Sequence, residues 1–128
     1  MNLNHINLIV KDVDKTVNLF TQYLNFNLIV NRNSKMAVME NDHNFALVIW
    51  GQVLNNEENT PVYPKNFHIG FYRENEEAVW YLYEKLKQEN ELTFESEPKT
   101  IRDTFGFYFY FENLMIEISV NPFKKNIT

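Results

Sequence analysis

Residues 66–75 read "NFHIGFYREN", and residues 3–12 read "LNHINLIVKD". Each stretch has the alternating pattern of a β-strand, carries a His followed directly by Ile, and leads into a charged segment typical of a helix start. The chain has only three His. The placement of two of them at equivalent points of two similar segments therefore indicates an internal repeat of roughly 60 residues.

The segments that follow these two strands repeat one order of elements. After the first strand, the pattern predicts a helix near 14–24, with Asp12 or Asp14 as its N-cap, and strands at "FNLIVNR", "KMAVME" and "FALVIWG". After the second, it predicts a helix near 75–89 and strands at "LTFESE", "TFGFYFYF" and "LMIEISV". The expected fold class is α+β, with two paired βαβββ modules that form a curved, open, barrel-like cleft.

We expect one domain over residues 1–128, because neither module is large enough to bury a good core alone. Module one covers 1–50 and module two covers 66–121. A polar connector with two prolines joins them at 51–65, and a frayed tail follows at 122–128.

The last two predicted strands have a strict alternation that fixes their faces. A short turn at Glu112-Asn113 would place Tyr108 opposite Glu117. The face covered by the helix then carries Phe107, Phe109, Phe111, Leu114, Ile116 and Ile118. The opposite face carries Tyr108, Tyr110, Met115, Glu117 and Ser119.

Composition excludes several classes of function. The net charge is −5, and Lys and Arg form no stripe, so we expect no nucleic-acid partner. No apolar run is long enough to cross a membrane, and the N-terminus lacks the basic start of a signal peptide. With no Cys, thiolate chemistry and disulfides are absent, and a cytoplasmic location is expected.

The two repeated His and one Glu are the candidate site. His5, His68 and Glu117 all project from the strand face opposite to the predicted helices. Two imidazoles and a carboxylate that converge in a cleft would make a divalent metal site with open positions. The alternative is that each is an ordinary polar residue on a solvated sheet face. His43, in the turn "NDHN", is interpreted as an exposed loop residue.

The chain resembles the vicinal oxygen chelate superfamily, which includes glyoxalase I, extradiol dioxygenases, fosfomycin-resistance enzymes and bleomycin-resistance proteins. The resemblance is carried by "NHINLIVKDVDKTVNLFTQYLNF", "FHIGF" and "GFYFYFENLMIEIS". It implies paired βαβββ modules, a homodimer, and a metal held by His5, His68 and Glu117. The position of the fourth ligand of glyoxalase I falls near Val48, which cannot ligate. The family's Asp-Pro-Asp-Gly-Asn turn is replaced by "FENLM", and the basic segments of fosfomycin enzymes are not recognisable.

Three functions follow as hypotheses. In the first, the chain is an enzyme in which Fe(II), Mn(II), Ni(II) or Zn(II) chelates neighbouring oxygens of a small-molecule substrate. In this hypothesis Tyr108 orients a ligand or donates a hydrogen bond, although a tyrosine at such a position is more often a wall aromatic without a chemical role. In the second, the chain is a metal-free binding protein with aromatic walls supplied by Tyr108, Tyr110, Trp50 and Tyr72. In the third, the chain is a dimeric scaffold without a site.

Overall fold

The computed structural model describes residues 1–52 and 61–123. The chain divides into two compact units, Met1–Pro61 and Val62–Thr128. Much of the predicted connector, residues 53–60, and most of the predicted tail, residues 124–128, lie outside the described residues. The single domain and the module bounds remain predictions.

The first unit is a four-stranded sheet with one helix, in the predicted order of elements. Its sheet order is β1-β4-β3-β2, in which β1 runs parallel to β4 and the other neighbours are antiparallel. The elements are β1 (His5–Val10), α1 (Val13–Tyr23), β2 (Asn27–Arg32), β3 (Met36–Glu40) and β4 (Ala46–Gly51).

Helix α1 begins where the sequence predicts, and its N-cap is Asp12 rather than Asp14. The carboxylate of Asp12 accepts a hydrogen bond of 2.9 Å from the backbone N–H of Lys15, which satisfies one of the unpaired N–H groups at a helix start. The apolar residues of α1 are buried, and Phe20 is fully enclosed. On β1, Leu8 is buried while His5 is exposed, so the predicted alternation of this strand is confirmed.

The second unit is a five-stranded sheet with one helix. The order is β5-β9-β8-β6, with β7 paired to the free part of β8; β5 runs parallel to β9. The elements are β5 (His68–Arg73), α2 (Glu76–Leu86), β6 (Leu92–Phe94), β7 (Lys99–Ile101), β8 (Thr104–Phe111) and β9 (Leu114–Val120). The α+β class with two βαβββ modules is therefore confirmed. In the described residues no helix is long and apolar enough to cross a membrane.

Strand β7 is the one element that the sequence did not predict. It has only three residues, and a two-residue turn of Arg102 and Asp103 joins it to β8. Both turn residues have positive φ, 51° and 56°. Two-residue hairpin turns with positive φ usually contain Asn-Gly or Asp-Gly in the sequence, and neither dipeptide is present here.

The predicted core face of the second unit is confirmed. Strands β8 and β9 pair in the predicted register, with Tyr108 opposite Glu117. The apolar residues of the alternate positions are buried against the stripe of α2 formed by Val79, Leu82, Tyr83 and Leu86. The ring of Tyr83 meets Phe107 edge-on, with ring centroids 5.2 Å apart. This aromatic packing fixes one face of the sheet to the helix and leaves the other face open.

Gly106 of β8 lies against β9 with no room for a side chain. A Cβ at this position would collide with the backbone carbonyl oxygen of Ile118 and come within 2.7 Å of the Cβ of Ser119. The obstructing atoms belong to the backbone and to its first side-chain carbon, so they cannot turn aside. We expect Gly106→Ala to lower the free energy of unfolding by about 2 kcal/mol or more, the range of other overpacked sites. Chemical denaturation measures this loss.

The matched control is Gly70→Ala on the neighbouring strand. There a Cβ would meet its nearest neighbour, Oε1 of Glu117, at 3.5 Å, an ordinary contact. This variant should unfold with a free energy within about 1 kcal/mol of the wild type. Equal stability of the two variants would show that β8 can shift to accommodate the methyl group.

Candidate functional site

The open face of the second unit's sheet carries a concentration of polar side chains. The register pairs His68 with Met115 and Gly70 with Glu117 across β5 and β9. Tyr108 lies opposite Glu117 on the other side, and Tyr110 lies opposite Met115. All of these residues except Gly70 line a cavity of about 600 Å³, called here the second-unit cleft. Its full lining is Asn66, His68, Glu95, Ile101, Arg102, Thr104, Gly106, Tyr108, Tyr110, Met115 and Glu117.

His68 and Glu117 face each other directly in this cleft. The Nε2 atom of His68 lies 3.4 Å from Oε1 of Glu117, and the two side chains are 38% and 22% exposed. Nδ1 of His68 lies 2.9 Å from the backbone carbonyl oxygen of Asn66. A carbonyl can only accept, so Nδ1 carries a hydrogen, and in the neutral ring Nε2 presents a lone pair to the carboxylate. A proton, a water molecule or a metal ion between these two atoms would satisfy both acceptors.

His5 in the first unit has the same local arrangement. It is exposed at the start of β1, and its Nδ1 lies 2.7 Å from Oδ1 of Asn4. With the amide oxygen as acceptor, Nδ1 donates and Nε2 is left with its lone pair. An imidazole whose Nδ1–H is held by an oxygen is the form in which His ligates metals.

The first and last long strands of each unit pair in equivalent registers. In the first unit Asn7, two residues after His5, pairs with Val48. In the second unit Gly70, two residues after His68, pairs with Glu117. Val48 therefore occupies the position equivalent to Glu117. The side chain of Val48 has no atom that could ligate a metal ion.

Tyr108 is placed to act on both members of the pair. Its ring meets that of His68 edge-on, with centroids 5.6 Å apart and an interplanar angle of 82°. Burial raises the pKa of the Tyr108 hydroxyl, and the charge of Glu117 and a hydrogen bond to that residue raise it further, while the positive charge of Arg102 acts in the opposite sense. Tyr108 is therefore held as a neutral donor toward Glu117. The predicted position of Tyr108 opposite Glu117 is confirmed, and its chemical role stays a prediction.

A second tyrosine and carboxylate lie along the same wall. The hydroxyl of Tyr110 donates a hydrogen bond of 2.8 Å to Oε1 of Glu95, and this bond is the main cause of the raised pKa of Tyr110. Sequence reasoning missed Glu95 and Arg102 as lining residues. The alternation of "LTFESE" could have placed Glu95 on this face. Nothing in the sequence marks Arg102, because the turn that carries it has no recognisable signature.

The other candidates from the sequence are not among the lining residues of this cleft. Tyr72 is 60% exposed and is not among the lining residues. Trp50 belongs to β4 of the first unit and is half-buried. His43 is exposed in a turn, as predicted, and its backbone N–H donates to the side chain of Asn41.

The ligand set visible in the structure is a pair. Across residues 1–52 and 61–123, no three His, Cys, Asp or Glu side chains are grouped so that they could hold a metal ion. His68 and Glu117 are brought together, and the predicted set of three with His5 stays a prediction.

Several solved structures share this fold. A possible glyoxalase from Bacillus cereus is 28% identical, with a TM-score of 0.78 over 93% of this chain and 98% of that chain. A mutant of the fosfomycin resistance protein FosX from Listeria monocytogenes, complexed with Mn(II) and 1S,2S-dihydroxypropylphosphonic acid, is 24% identical, with a TM-score of 0.75 over 94% of this chain and 90% of that one. Lactoylglutathione lyase from Agrobacterium tumefaciens is 11% identical, with a TM-score of 0.71 over 94% of each chain.

No curated protein matches the chain. The sequence profile of one protein family matches residues 2–118, which is most of its length. Together with the two βαβββ modules, this match shows that the chain belongs to the Glyoxalase/Bleomycin resistance protein/Dioxygenase superfamily.

Proposed function

We propose that this protein is a divalent-metal-dependent enzyme that binds two neighbouring oxygens of a small-molecule substrate. The observation that carries the proposal is the approach of His68 Nε2 to Glu117 Oε1 at 3.4 Å. His5 is proposed as the third ligand. Fe(II), Mn(II), Ni(II) and Zn(II) all suit a set of two imidazoles and one carboxylate.

The distance within the pair fits a common metal ion. Ligand atoms at about 2.1 Å from a metal, separated by angles of about 90–109°, lie about 3.0–3.4 Å from each other. A neutral His68 and an ionised Glu117 at 3.4 Å match one edge of such a polyhedron. The backbone carbonyl of Asn66 holds the His68 ring in the required tautomer. The donor types, the tautomer and the spacing therefore all fit.

A metal bound there supplies Lewis acidity toward two substrate oxygens, which is the chemistry common to the lyase, isomerase and dioxygenase reactions considered for this site. The chain's own residues would position the reactants. Tyr108, which lies opposite Glu117, would donate to that carboxylate and orient it. Tyr110, held by Glu95, forms the neighbouring wall. The cleft of about 600 Å³ has the size of a small-molecule site.

The related structures support this proposal at the level of the fold. The FosX complex is described with Mn(II) and a ligand that bears two neighbouring hydroxyl groups. A vicinal diol is the kind of chelating group that the proposal assigns to the substrate of this protein. The specific reaction of FosX is not transferred, because 24% identity carries the fold alone.

We also propose that the protein is a homodimer in which His5 of one chain completes the site of the other. Of the three proposed ligands, the described residues group only His68 and Glu117. A ligand from a second copy would supply the third donor. The soluble composition of the chain favours a cytoplasmic location for such an enzyme.

A metal-free binding protein is the second candidate, and the wall of Tyr108, Tyr110 and Met115 favours it. Aromatic rings and a thioether suit a flat, apolar ligand. In this case His68 would be protonated, and the 3.4 Å contact with Glu117 would be an ordinary ion pair. Elemental analysis of protein purified without chelator separates the two candidates.

The first test is the response of chelator-treated protein to metal. Binding at a hundredfold excess over the dissociation constant stabilises the native state by about 2.7 kcal/mol, which raises Tm by on the order of 10 °C. We expect one of the four ions to produce this rise in differential scanning fluorimetry. Glu117→Ala should abolish the rise because it removes the only charged ligand.

Glu95→Ala is the matched control, because it removes a carboxylate from the same cleft that does not face His68. It should retain the full metal-induced rise. The metalloenzyme proposal fails if no ion stabilises the wild type, or if Glu117→Ala responds like the wild type.

The dimer proposal is tested by mixing two defective chains. His5→Ala and Glu117→Ala homodimers should each lose metal binding. A mixed dimer of the two, isolated by two affinity tags, regains one complete set of ligands if His5 comes from the other chain. We therefore expect about one metal ion per mixed dimer by elemental analysis. A site contained within one chain would give a mixed dimer without metal, and a monomer by light scattering would also contradict the proposal.

Val48 offers a gain-of-function test. Since Val48 is the register equivalent of Glu117, Val48→Glu places a second carboxylate at the proposed site. A further charged ligand should lower the dissociation constant of the metal on the order of tenfold. Val48→Gln, which adds a similar chain without the charge, should give a smaller gain. Titration calorimetry compares them, and an unchanged affinity of Val48→Glu would show that this position lies outside the metal's reach.

A further inference from the structure

We propose that Arg102 forms an oxyanion subsite in the second-unit cleft and selects small-molecule ligands that carry a carboxylate, phosphate or phosphonate group. This inference rests on the proposed function, since it names the class of substrate that the same cleft takes. The metal would bind one end of the ligand beside His68 and Glu117, and Arg102 would bind an anionic end.

Arg102 is the charged lining residue without a partner of its own. Besides the two tyrosines, four titratable side chains line the cleft: His68, Glu95, Arg102 and Glu117. His68 faces Glu117, and Glu95 accepts from Tyr110. Within the part of the chain that the structure describes, no carboxylate forms an ion pair with Arg102. Its five N–H donors are therefore available to a ligand.

The backbone holds Arg102 in place at an energetic cost. Arg102 and Asp103 form the turn between β7 and β8, and their φ angles of 51° and 56° lie in the left-handed region. Residues with a Cβ are disfavoured there, and Asn or Gly would fit better. An arginine kept at a strained position on the edge of a cleft is a pattern associated with function rather than with stability.

Arg102 lines the same cleft as the proposed metal ligands His68 and Glu117. Thr104, the first residue of β8, lies directly after the turn and lines the same cleft. An oxyanion at Arg102 would thus lie in the same cleft as the proposed metal ligands and beside a hydroxyl donor. A planar guanidinium binds carboxylate and phosphate oxygens through two parallel hydrogen bonds.

The test is a titration of metal-stripped, ¹⁵N-labelled protein with inorganic phosphate, and separately with acetate, at low ionic strength. We expect saturable shifts of the backbone amides of residues 99–106 in the wild type. Arg102→Gln should raise the dissociation constant of the preferred anion about tenfold or more, the loss expected for a charge-assisted hydrogen bond. The two arms show whether the subsite prefers a tetrahedral or a carboxylate oxyanion.

Lys99→Gln is the matched control. Lys99 belongs to the same hairpin but does not line the cleft, and its replacement by Gln removes the same positive charge. The dissociation constant of the anion for this variant should stay within about twofold of the wild-type value, since only long-range attraction is lost. Arg102→Asn tests whether a loss of anion binding comes from a misfolded turn, because Asn adopts the left-handed conformation readily. It should keep or raise Tm while it loses anion binding to the same extent as Arg102→Gln.

The outcomes separate this inference from the metal proposal. The subsite is overturned if neither anion binds the wild type, or if Arg102→Gln and Lys99→Gln weaken binding equally. The metal-induced rise in Tm should be unchanged in Arg102→Gln, because Arg102 is not a ligand. Anion binding that depends on Arg102 in a protein that takes no metal would uphold the subsite and refute the metalloenzyme. Metal binding in a protein whose anion binding does not depend on Arg102 would uphold the metalloenzyme and refute the subsite.

Discussion

In the second unit, β5 and β9 run parallel, and Gly70 is paired with Glu117. The Glu117 carboxylate lies beside Gly70, since a Cβ built at this position would be 3.5 Å from its Oε1, an ordinary contact. The carboxylate can therefore lie over β5 and meet Nε2 of His68, two residues away along the same strand. Everything proposed for the cleft depends on this pairing, because a shift of one residue would turn Glu117 into the aromatic core.

The aromatic core holds this register. On β8 and β9 the alternate residues Phe107, Phe109 and Ile116 are fully buried under α2. Any slip of β9 would exchange buried Ile116 and Ile118 for Met115 and Glu117, which would bury a charge and expose large apolar side chains. The close approach at Gly106 adds a steric constraint on the same strand pair. The packing of one face thus determines the chemistry of the other.

The sequence was sufficient where the period-2 alternation was long and strict. The faces of β8 and β9, the position of Tyr108 and the approach of His68 to Glu117 all follow from that alternation and from the repeat. Arg102 could not be predicted, because its place depends on a turn between three-residue β7 and β8 whose left-handed residues are Arg and Asp. The role of His5 as the proposed third ligand could not be tested by strand alternation for a different reason. Alternation gives the face of the strand on which His5 lies, but not its distance from a residue in another module.

The two units share a backbone pattern but differ in charge, and this difference bears on both proposals. The position of Glu117 is held by Val48 in the first unit, so the carboxylate is supplied once. Without a metal, the second-unit cleft has two carboxylates, Glu95 and Glu117, against one guanidinium, that of Arg102. A divalent ion at His68 and Glu117 would reverse the sign of the local potential and favour an anionic ligand at Arg102. By linkage, such an anion would raise the affinity for the metal by the same factor. The metal site and the oxyanion subsite would then be coupled parts of one binding surface, connected through the charge on Glu117.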